Sequence, residues 1–261
     1  MHSRVTPVPL EPPSFQVLGV RVNAVQIPEV VCQMERWIRE RNGGHFITVT
    51  SMHGVSESQR DPRFRAVLNA ADLVVPDGMP LVWLGRRHGY ALKRRVYGPE
   101  LMETFCQLTQ DQYSHFLYGG AAGVPERLAD VLEQRYGNRV VGAYSPPFRE
   151  LTEAEKEEVT ARIRSTNPDV VWVGLSTPKQ ERWMAEHRER LGVPVLVGVG
   201  AAYDFHTGRL KQAPSWMREN GLEWFFRLLA EPRRLWRRYL IYGSQFVWNA
   251  SLEILGIKKF N

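Results

Sequence analysis

Short apolar runs alternate along the chain with longer stretches in which apolar residues recur at helical spacing. The apolar runs predict six β-strands, at residues 45–50, 72–76, 115–118, 139–143, 169–173 and 195–199. Helical patterns lie between them, at residues 61–71, from about 79, and at 100–110, 125–136, 152–165 and 178–190. Apolar strands separated by helices are typical of a parallel sheet buried under helices on both faces. The pattern therefore predicts an α/β fold with a Rossmann-like, mostly parallel sheet.

The pattern changes at both ends of the chain. Residues 1–13 contain four prolines and no hydrophobic period, which favours a flexible or extended arm. After Gly208 only helical patterns remain, and Pro232 and Gly243 interrupt them. We therefore expect an arm at 1–13, an α/β domain at 14–209 and a helical appendage at 210–261.

The charge is concentrated in the appendage. The whole chain carries a net charge of +6, and residues 227–261 carry seven basic and two acidic side chains, a net +5. Four of the eight tryptophans lie in the last 46 residues. A basic, tryptophan-rich end on a nearly neutral body indicates an anionic partner, which can be a phosphate group, a nucleic acid or an anionic membrane surface.

The composition restricts the class of protein. Of 261 residues, 43% are hydrophobic and 24% charged, which excludes a disordered or fibrous chain. Cys32 and Cys106 fit neither a metal site nor a disulfide framework, and this favours a reducing compartment. Neither a signal peptide nor a membrane-spanning stretch is evident, so we expect a cytoplasmic protein.

Polar and glycine residues follow several of the predicted strands. In open α/β sheets ligands bind beyond the carboxyl ends of the strands, so these residues are the first candidates for a site. They are Thr48, Thr50 and Ser51 at the end of the first strand, Asp77 after the second, Gly119 and Gly120 after the third, and Gln180 and Asp204 after the last two.

Each candidate has a functional and a structural interpretation. Asp77 precedes a glycine, which is typical of a turn, yet a carboxylate at the rim of a sheet can also accept a proton. Gly119 and Gly120 can bring the backbone close to a diphosphate, or they can form a tight turn without a ligand. They do not complete the glycine fingerprint of a nicotinamide or flavin site. Gln180 can both donate and accept hydrogen bonds, and Asp204 can be a ligand contact or a buried structural carboxylate.

Arginines, rather than metal ligands, mark the appendage. Three arginines recur near one helical face: Arg227, Arg234 and Arg237. Arginine binds phosphate bidentately, whereas lysine would serve equally well if the charge only made the surface soluble. His53 and His206 lack partners at metal-binding spacing, and the chain contains no Asp-x-Asp pair. We therefore expect phosphate recognition, with no metal ion and no other cofactor.

Together these segments resemble the WecG/TagA/CpsF family of glycosyltransferases, from about residue 46 to residue 239. Several separate motifs in the right order carry the resemblance. They are the stretch from Asp61 to Gly78, Arg95-Val-Tyr-Gly-Pro99, Gly174-Leu-Ser-Thr-Pro-Lys-Gln-Glu-Arg-Trp183, Gly198-Val-Gly-Ala-Ala-Tyr-Asp-Phe205, and the stretch from Gly221 to Arg234.

The resemblance implies an inverting, metal-independent transfer of a sugar from a UDP-sugar to a sugar on a polyprenyl diphosphate. The sugar would be of the N-acetylmannosamine, uronic acid or glucose type, for surface or wall polysaccharide. Asp77 falls on the family's catalytic base and Gln180 on a residue of substrate contact. Arg227, Arg234 and Arg237 fall on arginines of an appendage that closes over the diphosphate and works at the membrane. A peripheral location at the inner face of the cell membrane follows, and homo-oligomers are possible.

Two positions depart from the family pattern. The family usually has Thr-x-Asn at the end of the first strand, where this chain has Thr48-Val-Thr-Ser51 with either threonine in the family's role. Ser176 stands where glycine is common. Two alternatives to the transferase stay open from the residues alone. One is a nucleic-acid-binding protein that uses the basic appendage; it would leave the motifs at the strand ends unexplained, so we expect no nucleic-acid partner. The other is a nucleotide-dependent oxidoreductase, which the incomplete glycine fingerprint disfavours.

Overall fold

The strands form two sheets in the computed structural model, which describes residues 12–260. An antiparallel hairpin of β1 (Ser14–Val17) and β2 (Val20–Asn23) is the smaller one. The larger sheet contains six parallel strands in the order β4-β3-β8-β7-β5-β6. These strands are β3 (His45–Thr50), β4 (Leu73–Pro76), β5 (Ser114–Gly119), β6 (Arg139–Tyr144), β7 (Val170–Gly174) and β8 (Val195–Gly198).

Helices cover both faces of the large sheet. They are α1 (Ile27–Glu40), α2 (Met52–Arg60), α3 (Pro62–Asn69), α4 (Met79–Arg87), α5 (Gly98–Thr109), α6 (Val124–Tyr136), α7 (Glu153–Thr166), α8 (Lys179–Leu191) and α9 (Ala202–His206). Side chains of α1, α5, α6 and α9 build the hydrophobic core on one face. The hairpin and α2, α3, α4, α7 and α8 build the core on the other face. The α/β fold with a mostly parallel sheet is confirmed, and each of the six predicted strands lies within one residue of its expected bounds.

The appendage contains helices only. They are α10 (Ser215–Glu219), α11 (Glu223–Ala230), α12 (Pro232–Trp236) and α13 (Gly243–Ile254), and a π-helical turn (Arg237–Tyr242) joins the last two.

The appendage is attached firmly to the body. Phe246 and Ala250 are buried in the core, and the carboxylate of Glu253 accepts two contacts from the Leu18 N–H, at 3.0 and 3.2 Å. Within residues 12–260, no helix has both the length and the apolar character needed to cross a bilayer. Residues 1–11 of the expected N-terminal arm lie outside the described residues.

The hairpin and helices α1 and α2 were not expected from the sequence. Leu18 and Gly19 turn the hairpin with φ of +51° and +75°, and Phe15 and Val17 point from alternate positions into the core. In α1, Val31, Met34 and Ile38 follow Val30 by one, four and eight positions. This is helical spacing, so the sequence did contain a signal for α1.

Candidate active site

Two adjoining pockets lie at the carboxyl edge of β4, β3, β8 and β7. The first pocket is lined mainly by the starts of α2 and α4 and by the appendage, including Met52, Met79, Trp224 and Tyr239. The second pocket is lined by residues after β7 and β8, including Ser176, Gln180 and Gly200. Five residues line both pockets: Ser51, Asp77, Tyr97, Arg227 and Arg238.

Asp77 lies where the two pockets meet. Its backbone N–H donates to the Thr50 carbonyl at 2.8 Å, which fixes the end of β4 against β3. The carboxylate oxygen Oδ1 is buried and has no hydrogen-bond partner among the described residues, and its nearest cation is Arg95 Nη1 at 3.8 Å. Burial raises the pKa of Asp77 to about 6, with Arg95 opposing this shift and Glu223 adding to it. A carboxylate with this pKa and a free oxygen can accept a proton near neutral pH.

The turn interpretation of Asp77 does not explain this geometry. The residue that caps α4 is Gly78, whose φ of +116° is accessible to glycine and strained for other residues. Gly78 therefore provides the turn, and the Asp77 side chain faces the pockets.

The polar residues at the end of β3 divide between the core and the pockets. Thr48 and Thr50 are buried, and the Thr50 hydroxyl donates to the Thr48 hydroxyl at 3.1 Å. Neither threonine lines a pocket, whereas Ser51 lines both. Among these three candidates, only Ser51 lines the pockets together with Asp77, and Thr50 contacts Asp77 through its backbone carbonyl.

The glycine loop after β5 lies outside the two pockets. A Cβ on Gly119 would be 2.6 Å from the carbonyl carbon and oxygen of Gly174, and one on Gly120 would be 3.0 Å from the Tyr203 ring. The Gly120 N–H donates to the Gly174 carbonyl at 2.9 Å. These glycines therefore allow close packing of β5 against β7, and the expected contact with a diphosphate is not supported by their position.

Gln180 is held rigidly at the second pocket. Its Oε1 accepts from the Gly200 N–H at 3.0 Å, and its Nε2 donates to Glu181 Oε1 at 3.0 Å. Glu181 also accepts from the Thr177 hydroxyl at 2.7 Å, and burial raises the pKa of Glu181. These bonds fix the orientation of the Gln180 amide and leave one of its two N–H donors for a ligand.

Ser176 and Asp204 have different positions relative to the site. Ser176 lines the second pocket, and its φ of +66° is a left-handed conformation that favours glycine. This backbone conformation explains why glycine is common at this position in the family. Asp204 lines neither pocket, and its carboxylate pairs with Arg209 at 3.3 Å.

The appendage brings three arginines to the pockets, but not the three that the sequence suggested. Arg227 lines both pockets and lies over the Phe205 ring at 5.6 Å, and Arg234 lines the second pocket. Arg237 lines neither and lies over the exposed Trp236 ring at 5.4 Å. Its expected place is taken by Arg238.

The Arg238 guanidinium is a partly buried cation that lines both pockets. Within residues 12–260 it makes no hydrogen bond or ion pair, and its nearest ring contact is Tyr239 at 6.0 Å. Burial lowers the pKa of Arg238, and the positive charges of Arg227 and Arg234 lower it further. Three guanidinium groups around one cleft create a positive potential that suits a diphosphate.

Three further pocket residues were missed as candidates: Arg95, Tyr97 and Glu223. Arg95 and Tyr97 belong to one motif of the resemblance and Glu223 to another, so a signal for them was present. The Arg95 guanidinium donates to Glu223 Oε2, and the Tyr97 hydroxyl donates to Glu223 Oε1 at 3.0 Å.

His53 lines the first pocket in its neutral form. Burial, and then the charge of Arg238, lower the pKa of His53 to about 3. Among residues 12–260, no three His, Cys, Asp or Glu side chains are grouped to hold a metal ion.

A sequence model of the glycosyl transferase WecG/TagA/CpsF family matches residues 15–259. The chain belongs to this family. It is therefore a glycosyltransferase, which decides between this function and the nucleic-acid-binding and oxidoreductase alternatives.

Three similar proteins carry the name N-acetylglucosaminyldiphosphoundecaprenol N-acetyl-beta-D-mannosaminyltransferase. The protein from Bacillus spizizenii W23 is 30% identical over 216 residues, which cover 82% of each chain. The one from Bacillus subtilis 168 is 30% identical over 182 residues, or 69% of each chain. The one from Staphylococcus aureus NCTC 8325 is 28% identical over 223 residues, which cover 85% of this glycosyltransferase and 86% of the relative.

Proposed function

We propose that the enzyme transfers a sugar from a UDP-sugar to a sugar linked to a polyprenyl diphosphate, with inversion and without a metal ion. The observation that carries this proposal is the unpartnered Oδ1 of Asp77 at the meeting point of two pockets, beside three arginines of the appendage. The names of the relatives support a polyprenyl-diphosphate-linked acceptor and an N-acetylmannosaminyl donor.

Asp77 acts as the general base in this proposal. The acceptor hydroxyl gives its proton to Asp77 Oδ1 while its oxygen attacks the anomeric carbon of the donor. The bond from that carbon to the diphosphate oxygen breaks on the opposite face, and UDP leaves with the electron pair. One displacement of this kind inverts the anomeric centre, and the oxocarbenium-like transition state gains from a base on the acceptor side.

The arginines neutralise the departing diphosphate. Negative charge grows on the leaving oxygen in the transition state, and preorganised cations at that position stabilise it. Arg227, Arg234 and Arg238 lie around the second pocket, where the Gln180 amide offers a further donor. We therefore assign the second pocket to the UDP-sugar.

The first pocket suits the acceptor. Its wall includes Met52, Met79, Trp224 and Tyr239, and it opens between the body and the appendage. Apolar and aromatic side chains suit the sugar ring and first lipid units of a polyprenyl-linked acceptor.

A substrate screen tests this function. The full chain is incubated with a panel of UDP-sugars and a short-chain polyprenyl-diphosphate N-acetylglucosamine, in EDTA and in Mg²⁺, and products are read by mass spectrometry and by anomeric NMR couplings. We expect one UDP-sugar to be transferred with inversion and equally well in EDTA. Retention of configuration, or activity restored only by the metal, contradicts the corresponding part of the proposal.

We also propose that the appendage binds the cytoplasmic face of the membrane. It exposes a set of large apolar side chains close to its arginines: Trp216, Leu229, Trp236, Leu240, Ile241, Val247, Trp248, Leu255 and Ile257. Tryptophan favours the lipid interface, and each basic residue near an anionic leaflet gains about 1 kcal/mol.

Vesicle sedimentation tests the membrane contact. We expect the full chain to bind anionic phosphatidylglycerol vesicles in a salt-sensitive way, and Trp248→Ser to weaken binding several-fold. Phe148→Ser removes an aromatic ring of the body that is even more exposed than Trp248 and serves as the control. Equal loss in both variants contradicts a contact through the appendage.

A further inference from the structure

Arg95 lies between two carboxylates that belong to different parts of the molecule. One guanidinium nitrogen donates to Glu223 Oε2, and the other is 3.8 Å from Asp77 Oδ1. The guanidinium carbon also lies 4.2 Å from the centroid of the Tyr97 ring, which restricts its movement. Asp77 belongs to the body and Glu223 begins α11 of the appendage.

Glu223 uses both of its oxygens at this position. Its side chain is 9% exposed, and it accepts from Arg95 with one oxygen and from the Tyr97 hydroxyl with the other. The charge of Arg95 is thus compensated by a residue other than Asp77. Without that partner, a guanidinium 3.8 Å from a buried carboxylate would close to a direct, hydrogen-bonded ion pair.

Such an ion pair would be harmful to a base. Hydrogen bonds from Arg95 would occupy the lone pairs with which Asp77 accepts a proton, and they would make its carboxylate less basic. We propose that Glu223 is a positioning residue, which holds Arg95 away from Asp77 and so keeps the base free when the appendage is docked. This inference rests on the proposed role of Asp77, and it assigns to the appendage a second task besides phosphate binding.

Other charged or titratable groups also face Asp77. Arg227 and Arg238 approach it from the appendage, His53 from α2, and Tyr97 from the segment before α5. The arginines lower the pKa of Asp77, and replacing Glu223 by glutamine leaves their charges unchanged. His53 stays neutral above pH 5, since its pKa is about 3. Removal of the Glu223 charge therefore acts on Asp77 in one direction, toward a lower pKa.

The test is the titration of Asp77 itself in the full chain. The protein is labelled with ¹³C at the aspartate carboxyl carbon, Asp77 is assigned by comparison with Asp77→Asn, and its midpoint is followed in wild type and Glu223→Gln. We expect the midpoint to fall by about one to three pH units, as for an aspartate beside a free arginine. The low-pH limb of kcat/KM should move by the same amount.

Controls separate this role from simple anchoring. Glu219→Gln removes an exposed carboxylate one helix earlier, 3.9 Å from Arg94, and should leave the Asp77 midpoint unchanged. An unchanged midpoint in folded Glu223→Gln, with only a lower kcat, overturns the proposal. If no UDP-sugar is transferred by the wild type, the proposed function fails, while the NMR titration still decides the role of Glu223. If Glu223→Gln does not fold, Tyr97→Phe removes one hydrogen bond to Glu223 and keeps the Glu223 charge. This variant should lower the Asp77 midpoint by less than the one to three pH units expected for Glu223→Gln, and an unchanged midpoint overturns the proposal.

Discussion

The burial of Asp77 predicts that its ionised carboxylate serves activity but lowers stability. Replacing Asp77 with asparagine measures both effects. Its pKa lies at about 6 in the folded enzyme, against 3.8 for an unperturbed aspartate. Because the folded-state pKa is the higher one, this group stabilises the protein below about pH 4, and that contribution is lost as the pH rises through 6. The complete loss of this contribution to the free energy of unfolding is on the order of 3 kcal/mol, at 1.36 kcal/mol for each unit of difference between the two pKa values.

Between pH 5 and pH 8, the same relation gives a loss on the order of 1.4 kcal/mol from Asp77. Asp77→Asn cannot titrate, so its free energy of unfolding relative to wild type should rise by that amount between the two pH values. This corresponds to a relative gain of about 3 to 6 °C in Tm for a protein of this size. Turnover should meanwhile fall by about 10² to 10⁴, the typical contribution of a general base.

The assay is urea unfolding followed by tryptophan fluorescence, for both proteins at pH 5 and pH 8. Comparing the differences cancels the titration of all other groups. Asp130→Asn, an exposed position on α6, is the control for loss of one carboxylate and should show no such change. A difference between wild type and Asp77→Asn that is the same at both pH values would refute the burial argument. Full activity of Asp77→Asn would remove it from the mechanism.

The remaining predictions concern residues for which sequence and structure disagree. Arg238→Ala should lower kcat by about 10² to 10³, the typical effect of losing one donor to a developing oxyanion, whereas Arg237→Ala should change kcat only a few-fold. Steady-state kinetics in the presence of detergent measure both variants. A larger loss of kcat in Arg237→Ala than in Arg238→Ala would show that Arg237 is the residue that enters the site. Gly119→Ala should destabilise the fold by at least about 2 kcal/mol because its Cβ would overlap the Gly174 backbone, while the folded protein should keep its affinity for UDP in calorimetry. Weaker UDP binding with normal stability would instead support a ligand contact at this glycine.

The large sheet was predictable because its strands are buried on both faces. Phe46 enters the core on one face and Ile47 the core on the other, so each strand appears as a continuous apolar run. The hairpin carries a weaker signal, since β1 and β2 have only four residues each and bury one side. Short strands of this kind depend on contacts with α4 and the core rather than on their own sequence.

The rule that ligands bind beyond strand ends located the body's part of the candidate site. Asp77 and Ser51 follow β4 and β3, which are neighbours, and Gln180 enters the same cleft through the first turn of α8. Gly119 is the last residue of β5, but β5 lies beyond β7, and this glycine packs on Gly174 instead. The rule that ligands bind beyond the carboxyl ends of strands identifies the edge of the sheet at which the site lies. The order of the strands decides which part of that edge forms the pockets.

The arginines show why helical spacing selected Arg237, whereas Arg238 is the residue that lines the two pockets. Counting from Arg227 to Arg237 assumes one regular helix, yet the chain leaves helical geometry at Glu231, with φ of −134° and ψ of 60°. The count restarts in α12, and Arg238, in the π-helical turn that follows, is four residues after Arg234 and therefore lies on nearly the same face. The π-helical turn that begins at Arg237 widens the helix at this point, and π turns of this kind occur frequently at functional sites. A local break, which Pro232 signals in the sequence, and a wider turn thus decide which of two adjacent arginines reaches the cleft.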